Sequence, residues 1–126
     1  ARSYELFTFP YAGLGMTNKK LVEKPAEAKR VLKALIKGSR YMRENRDDTV
    51  QVLSEWARID RQSALDYYDA TWKSSSLDGG IPEKGLRLVI EDAKSALKID
   101  RDIAYSEVAD FSLVKEAQRE LKIKGR

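Results

Sequence analysis

The sequence contains no cysteine and no histidine, and these two absences exclude more chemistry than any residue present suggests. A tetrahedral zinc site draws its ligands chiefly from thiolates and imidazoles, so the usual form of that site has no donors here. Cys–His and Ser–His nucleophilic pairs, and histidine general-base catalysis, are excluded on the same ground. Without cysteine there is no disulfide framework, and redox compartment cannot be read from one. An enzyme on this chain would depend on carboxylates, lysine or tyrosine alone. No constellation of those residues stands out, so the expectation is a protein that catalyses nothing and carries no metal or cofactor. Long apolar runs are also missing: none approaches the ~20 residues that a membrane-spanning helix needs. The opening Ala1-Arg2-Ser3-Tyr4-Glu5 lacks the basic stretch and apolar core of a secretory leader, as a mature product or a piece of something longer would.

What is present suits one soluble domain. The chain has 126 residues, of which 42% are hydrophobic and 35% charged, with 24 basic and 20 acidic residues for a formal charge of +4. A surplus of that size is compatible with a nucleic-acid surface or an acidic partner. It equally suits a solvated surface of interspersed charge, and the distribution favours the second reading.

Residues 1–18 are the least helical part. Tyr4, Leu6, Phe7, Phe9 and Tyr11 favour extended structure, while Pro10, Gly13 and Gly15 punctuate the run. A short strand is expected over Tyr11–Thr17, and a lone strand requires a partner for its backbone groups.

From Lys24 onward the pattern is helical. Pro25 suits a first helical turn and Glu27 suits its positive end. Ala28, Val31, Leu32, Leu35, Ile36, Ser39 and Met42 recur at i+3/i+4 spacing and predict one buried arc. Lys29, Lys33, Lys37 and Arg40 fill the opposite arc. That basic stripe would begin a nucleic-acid reading, but aromatics for base stacking are missing beside it, and a lysine-rich solvent face shows the same spacing. No nucleic-acid partner is expected.

Asn45 with Asp48 predicts a capping-box variant opening a helix that buries Val50, Leu53, Trp56 and Ala57. The adjacent Asp47 and Asp48 are read as favouring the helix dipole rather than as an acid–base pair. Asp60 is expected to cap a further helix, Arg61–Lys73, with Ala64, Leu65, Tyr68, Thr71 and Trp72 inward. The aromatic pair Tyr68 and Trp72 is read as core before ligand wall, because aromatics dominate cores.

Ser74–Gly80 is a loop in which the glycine pair permits positive φ. No Lys-Ser/Thr follows it, so it is not a phosphate-cradling loop, and the Gly13-Leu14-Gly15 pair lacks the third glycine of a dinucleotide fingerprint. Pro82 begins a helix to about Lys98 with Leu86, Val89, Ile90, Ala93 and Leu97 as its stripe. Residues 99–109 read as loop, Asp110 as the cap of a last helix Phe111–Leu121, and Lys122–Arg126 as a frayed basic tail. The fold class is therefore mainly α, about five helices with at most one or two short N-terminal strands. It is read as a single partial domain, residues 1–18 strand-like or hinge-like and 24–121 helical.

The order of these phrases resembles a family. The run Glu23-Lys24-Pro25-Ala26-Glu27-Ala28-Lys29-Arg30-Val31-Leu32-Lys33-Ala34-Leu35-Ile36-Lys37-Gly38, and its sequel Tyr41-Met42-Arg43-Glu44-Asn45, resemble a recurrent stretch of nitrate/sulfonate/taurine-type substrate-binding proteins of ABC importers. Leu77-Asp78-Gly79-Gly80-Ile81-Pro82-Glu83-Lys84-Gly85-Leu86 is similar to that family's turn into a late helix. Val108-Ala109-Asp110-Phe111-Ser112-Leu113 is similar to its closing cap. Arg46 departs from the pattern, which usually has proline there. The resemblance covers most of the chain and implies the C-terminal portion of a two-lobe α/β periplasmic-binding-protein fold, in which ligand closes the lobes about a hinge. It further implies a small-molecule substrate, ABC permease subunits as partners, and a periplasmic or otherwise extracytoplasmic location. The substrate class spans small anionic or sulfur- and nitrogen-containing compounds. Thr8, Phe9, Tyr11 and Gly13, in the hinge-like segment, are the substrate-binding candidates. An isolated helical portion of such a receptor would also tend to self-associate through uncovered edges. The other reading, from a different class, is a free-standing helical module that binds a protein partner through an exposed helix face.

Overall fold

The computed structural model describes residue 10 and residues 12–125. It is mainly helical, with no strand among the described residues, in agreement with the class read from the sequence. Among the described residues seven α-helices follow one another: α1 (Asn18–Glu23), α2 (Pro25–Glu44), α3 (Arg46–Ala57), α4 (Arg61–Thr71), α5 (Glu83–Leu97), α6 (Tyr105–Val108) and α7 (Ser112–Glu120), with a 3₁₀ turn, Trp72–Ser74, directly after α4. No helix among the described residues is long and apolar enough to cross a membrane. The chain divides into two compact units, one formed by Ala34–Leu77 and the other by the segments on either side of it.

The expected strand over Tyr11–Thr17 is not formed in its described part. Residues 12–17 are irregular, and Tyr11 lies outside the described residues. The physical reason lies at Thr17. Its hydroxyl oxygen accepts the backbone N–H of Lys20 at 3.2 Å, so the segment ends by capping α1, a helix the sequence pattern did not announce. α1 stops at Lys24, whose φ/ψ of −137°/52° lies outside the helical region. Pro25 is the cause, since a proline ring disfavours the helical conformation in the residue before it. The same ring then fits the first turn of α2.

The central unit is held by three helices. α2 ends at Asn45, which also opens α3, but the expected capping box is absent. The Asn45 amide donates backwards to the Tyr41 carbonyl at 3.0 Å. The Asp48 carboxylate instead accepts the Tyr41 hydroxyl at 2.7 Å. Thr49 closes the junction, its hydroxyl donating to the Asn45 carbonyl at 2.7 Å. Asp60 caps α4 as expected, with Oδ1 accepting the Ser63 N–H at 3.0 Å and Oδ2 accepting the Ser63 hydroxyl at 2.6 Å. Those hydrogen bonds, the side-chain one foremost, lower the Asp60 pKa.

Packing of α3 on α4 then buries Val50, Ala64 and Tyr68, with Leu53, Leu65 and Trp72 against them. This confirms the core reading of the Tyr68–Trp72 pair. The Tyr68 ring is buried, and its hydroxyl satisfies itself by donating to the Met42 carbonyl at 2.8 Å. Trp56 departs from expectation and stands 80% exposed, as does Ala57 in class. The helix turns its Thr49–Val50–Leu53 side inward, and Trp56 and Ala57 are its last two residues, past the stretch that is buried.

In the flanking unit, α2 and α7 are joined by an ion-pair cluster. Lys29 Nζ reaches Glu116 at 3.1 Å and Glu120 at 2.7 Å, and Lys33 Nζ reaches Glu120 at 2.6 Å. The lysine stripe read as a solvated face is thus engaged over half its length. Ala28 and Ala117, on the same two helices, are fully buried. The loop before α5 turns at Gly79, whose φ of 74° is the conformation glycine adopts without steric cost. Asp78 is buried there, its carboxylate accepting the Gly80 N–H at 2.9 Å and its carbonyl accepting the Gln118 amide at 2.8 Å.

Further along, the stretch expected as loop contains α6. Glu107 accepts the Ala104 N–H at 2.7 Å and is gripped by both terminal nitrogens of Arg101 at 3.2 and 2.9 Å. Asp110 supports α7 from one position before the cap residue Phe111, accepting the Ser112 N–H at 2.8 Å. The tail is anchored at its start, where the Ile123 N–H donates to the Gln118 carbonyl at 2.9 Å.

Candidate functional surface

Three of the four substrate-binding candidates, Thr8, Phe9 and Tyr11, lie outside the described residues. The fourth, Gly13, sits exposed in the irregular lead to α1, and a Cβ placed on it would meet nothing within 4 Å. The described residues therefore do not gather a site around it.

Two concavities on the described residues differ in size, the larger an open one of about 420 Å³. One is an open depression at the end of α5, lined by Glu91, Lys94, Ser95, Lys98, Ile99 and Asp100. A second, beside Ile90 and Tyr105, holds only about 10 Å³, about the room for a single water molecule. Neither has the apolar walls and converging polar groups of a small-molecule site. The acidic pair Asp47 and Asp48 is likewise divided between structural tasks, Asp47 accepting from Arg61 at 3.3 Å and Asp48 from Tyr41. The Asp48 carboxylate raises the Tyr41 pKa, through that hydrogen bond first and its charge second. No group of three or more His, Cys, Asp or Glu side chains able to hold a metal ion occurs among the described residues.

The feature that does stand out is uncovered apolar surface. The single arc expected on α2 splits in two. Ala28 and Ile36 are buried and Leu32 and Ser39 half-buried, whereas Val31, Leu35 and Met42 are exposed, Leu35 by 52%. On a wheel of ~100° per residue the exposed set forms its own stripe. Within Ala34–Leu77, that stripe carries Ala34, Leu35, Gly38, Tyr41 and Met42, every one of them exposed. A Cβ on Gly38 would meet nothing within 4 Å, so the middle of the stripe lies open. α5 shows the same incompleteness along its length. Leu86 and Ile90 are buried, but Ala93 and Leu97 on the same stripe are exposed, Leu97 by 70%. Val52 and Trp56 form a further exposed pair one turn apart on α3.

A helix that is apolar around more than half its circumference is ordinarily enclosed on both sides. Contiguous exposed apolar residues mark an interaction surface when they recur in register along an element. The sequence signal for this was the breadth of the α2 arc, which periodicity alone assigned to a single buried side. No family model matches the chain, and neither does any curated protein or any solved structure.

Proposed function

We propose that this chain is the helical C-terminal portion of the solute-binding component of an ABC importer, and that its apolar helix faces close against the remainder of that receptor. The observation that carries the reading is the outward stripe of α2, continued in kind by the uncovered end of α5. Such faces belong to elements that complete a core supplied from elsewhere. The phrases resembling that family support it further, because each leads into a helix here, α2 starting at Pro25, α5 following the Asp78–Pro82 turn and α7 following Asp110. In this reading the chain binds and does not catalyse. A small anionic or sulfur- or nitrogen-containing solute is held in the cleft of the complete protein, and the permease subunits are its downstream partners, outside the cytoplasm.

The test begins with the coding sequence on the 5′ side of Ala1. The expected finding is an in-frame two-lobe α/β segment. The protein expressed from the whole frame is then expected to protect Leu35, Met42 and Leu97 from hydroxyl-radical oxidation relative to the 126-residue chain. An unrelated upstream frame, or equal oxidation in both proteins, overturns the proposal.

The exposed Val52–Trp56 pair favours a second reading, a free-standing helical module that docks a protein partner through an exposed helix face. Sedimentation and calorimetry of the 126-residue chain separate the two. A monomer melting in one cooperative transition supports the module. Self-association, or a broad non-cooperative melt, supports the receptor portion, since uncovered apolar faces invite association.

A further inference from the structure

We draw no further inference here: the strongest candidate, the exposed apolar face of α2 carrying Leu35, Gly38, Tyr41 and Met42, is the surface on which the proposed reading already rests, and nothing in the structure shows what else covers it.

Discussion

Lys29 Nζ lies 2.7 Å from Glu120 Oε1, tying the second helix to the last across more than ninety positions of sequence. Glu120 accepts from Lys33 through its other oxygen, at 2.6 Å, so a single carboxylate fastens two turns of α2. Hydrogen bonds from Lys29 and then Lys33 hold the Glu120 pKa down from 4.5 to about 2. The hydrogen bonds that Lys29 donates, to Glu120 first and to Glu116 second, raise the Lys29 pKa.

A pH dependence follows, with its sign set by those directions. A depressed carboxyl pKa contributes stability that is present above the unfolded value near 4.5 and is lost as pH falls through the folded value near 2. For Lys29, whose pKa is raised, the contribution is complete below 10.5 and disappears as pH climbs past the folded value. The side chain of Glu120 is 41% exposed, so solvent screens the cluster and the effect is a small one. The expected result is that the chain loses more melting temperature between pH 4.5 and 2 than Glu120→Gln does, and that 1 M salt narrows the difference. Thermal melts across that range check it. Identical slopes for the two proteins would show that the cluster contributes nothing.

The core of Ala34–Leu77 predicts a larger effect. Val50 is fully buried between α3 and α4. Truncating it to alanine removes two methyl groups and leaves a void that the surrounding Ala64 and Tyr68 fill only in part. Val50→Ala is expected to cost about 2 kcal/mol. Urea titration followed by Trp fluorescence reads it, because Trp72 packs on the same cluster. A loss under about 0.5 kcal/mol, the range of ordinary surface changes, would mean that the cluster is not a packed core.

Much of this architecture is legible in the chain. Pro25, Asp60 and Pro82 mark helix starts because each acts within one turn, through a fixed φ or a side-chain acceptor, and periodicity then finds the buried side of α4 and, through Val50 and Leu53, of the first half of α3. What escapes is decided by competition or by distance. Asn45 and Asp48 spell a capping box, yet Tyr41 offers both of them a better partner. α6 is a single turn, too short for any periodic signal, and rests on the Arg101–Glu107 grip. Lys29 and Lys33 look like solvent lysines until α7 brings Glu116 and Glu120 to them. The hardest to foresee is the split of the α2 arc: apolar spacing says that a face will be covered, not by what. The substrate candidates were placed from resemblance and not from local rules, and of them only Gly13 falls among the described residues.

Three helices, α3, α5 and α7, are followed by a non-glycine residue in the left-handed region, Arg58, Lys98 and Lys122, which gives a prediction of opposite sign. Lys98 follows α5 at φ 53°, with its N–H donating to the Lys94 and Ser95 carbonyls, and the Ile99 N–H returns to Lys94 at 3.0 Å. This is the left-handed helix end that glycine ordinarily fills. A side chain there carries a steric cost that glycine avoids, partly offset by the freedom glycine gains when unfolded. Lys98→Gly is expected to stabilise the chain by about 0.5 kcal/mol, and Lys98→Val to destabilise it. Equilibrium denaturation of the pair is the check, and the reverse ranking would contradict the assigned backbone.

Under the proposed receptor reading, Tyr11→Ala in the longer protein is expected to weaken solute binding. Tyr11 belongs to the hinge-like segment that the family resemblance places nearest the cleft. Tyrosine is enriched among the few residues whose truncation costs a binding site more than about 1 kcal/mol, and a loss of about fivefold or more in affinity is the expected result. Calorimetric titration with the solute measures it, and an unchanged affinity takes Tyr11 out of the site.

Leu35 separates a covered face from a bare one by stability alone. In the 126-residue chain it is 52% exposed, so Leu35→Ala removes atoms that already meet water. The expected change is within about 0.5 kcal/mol, the ordinary range for surface substitutions. Where the rest of a receptor closes over α2, the same side chain becomes core, and truncation there typically costs about 2–5 kcal/mol. The comparison is internal, because helix propensity changes by the same small amount in both proteins and cancels. Val50→Ala serves as the control, since its site is enclosed in either context. A Leu35→Ala penalty equally small in the longer protein, beside an undiminished Val50→Ala penalty, would mean that this side of α2 faces solvent even there.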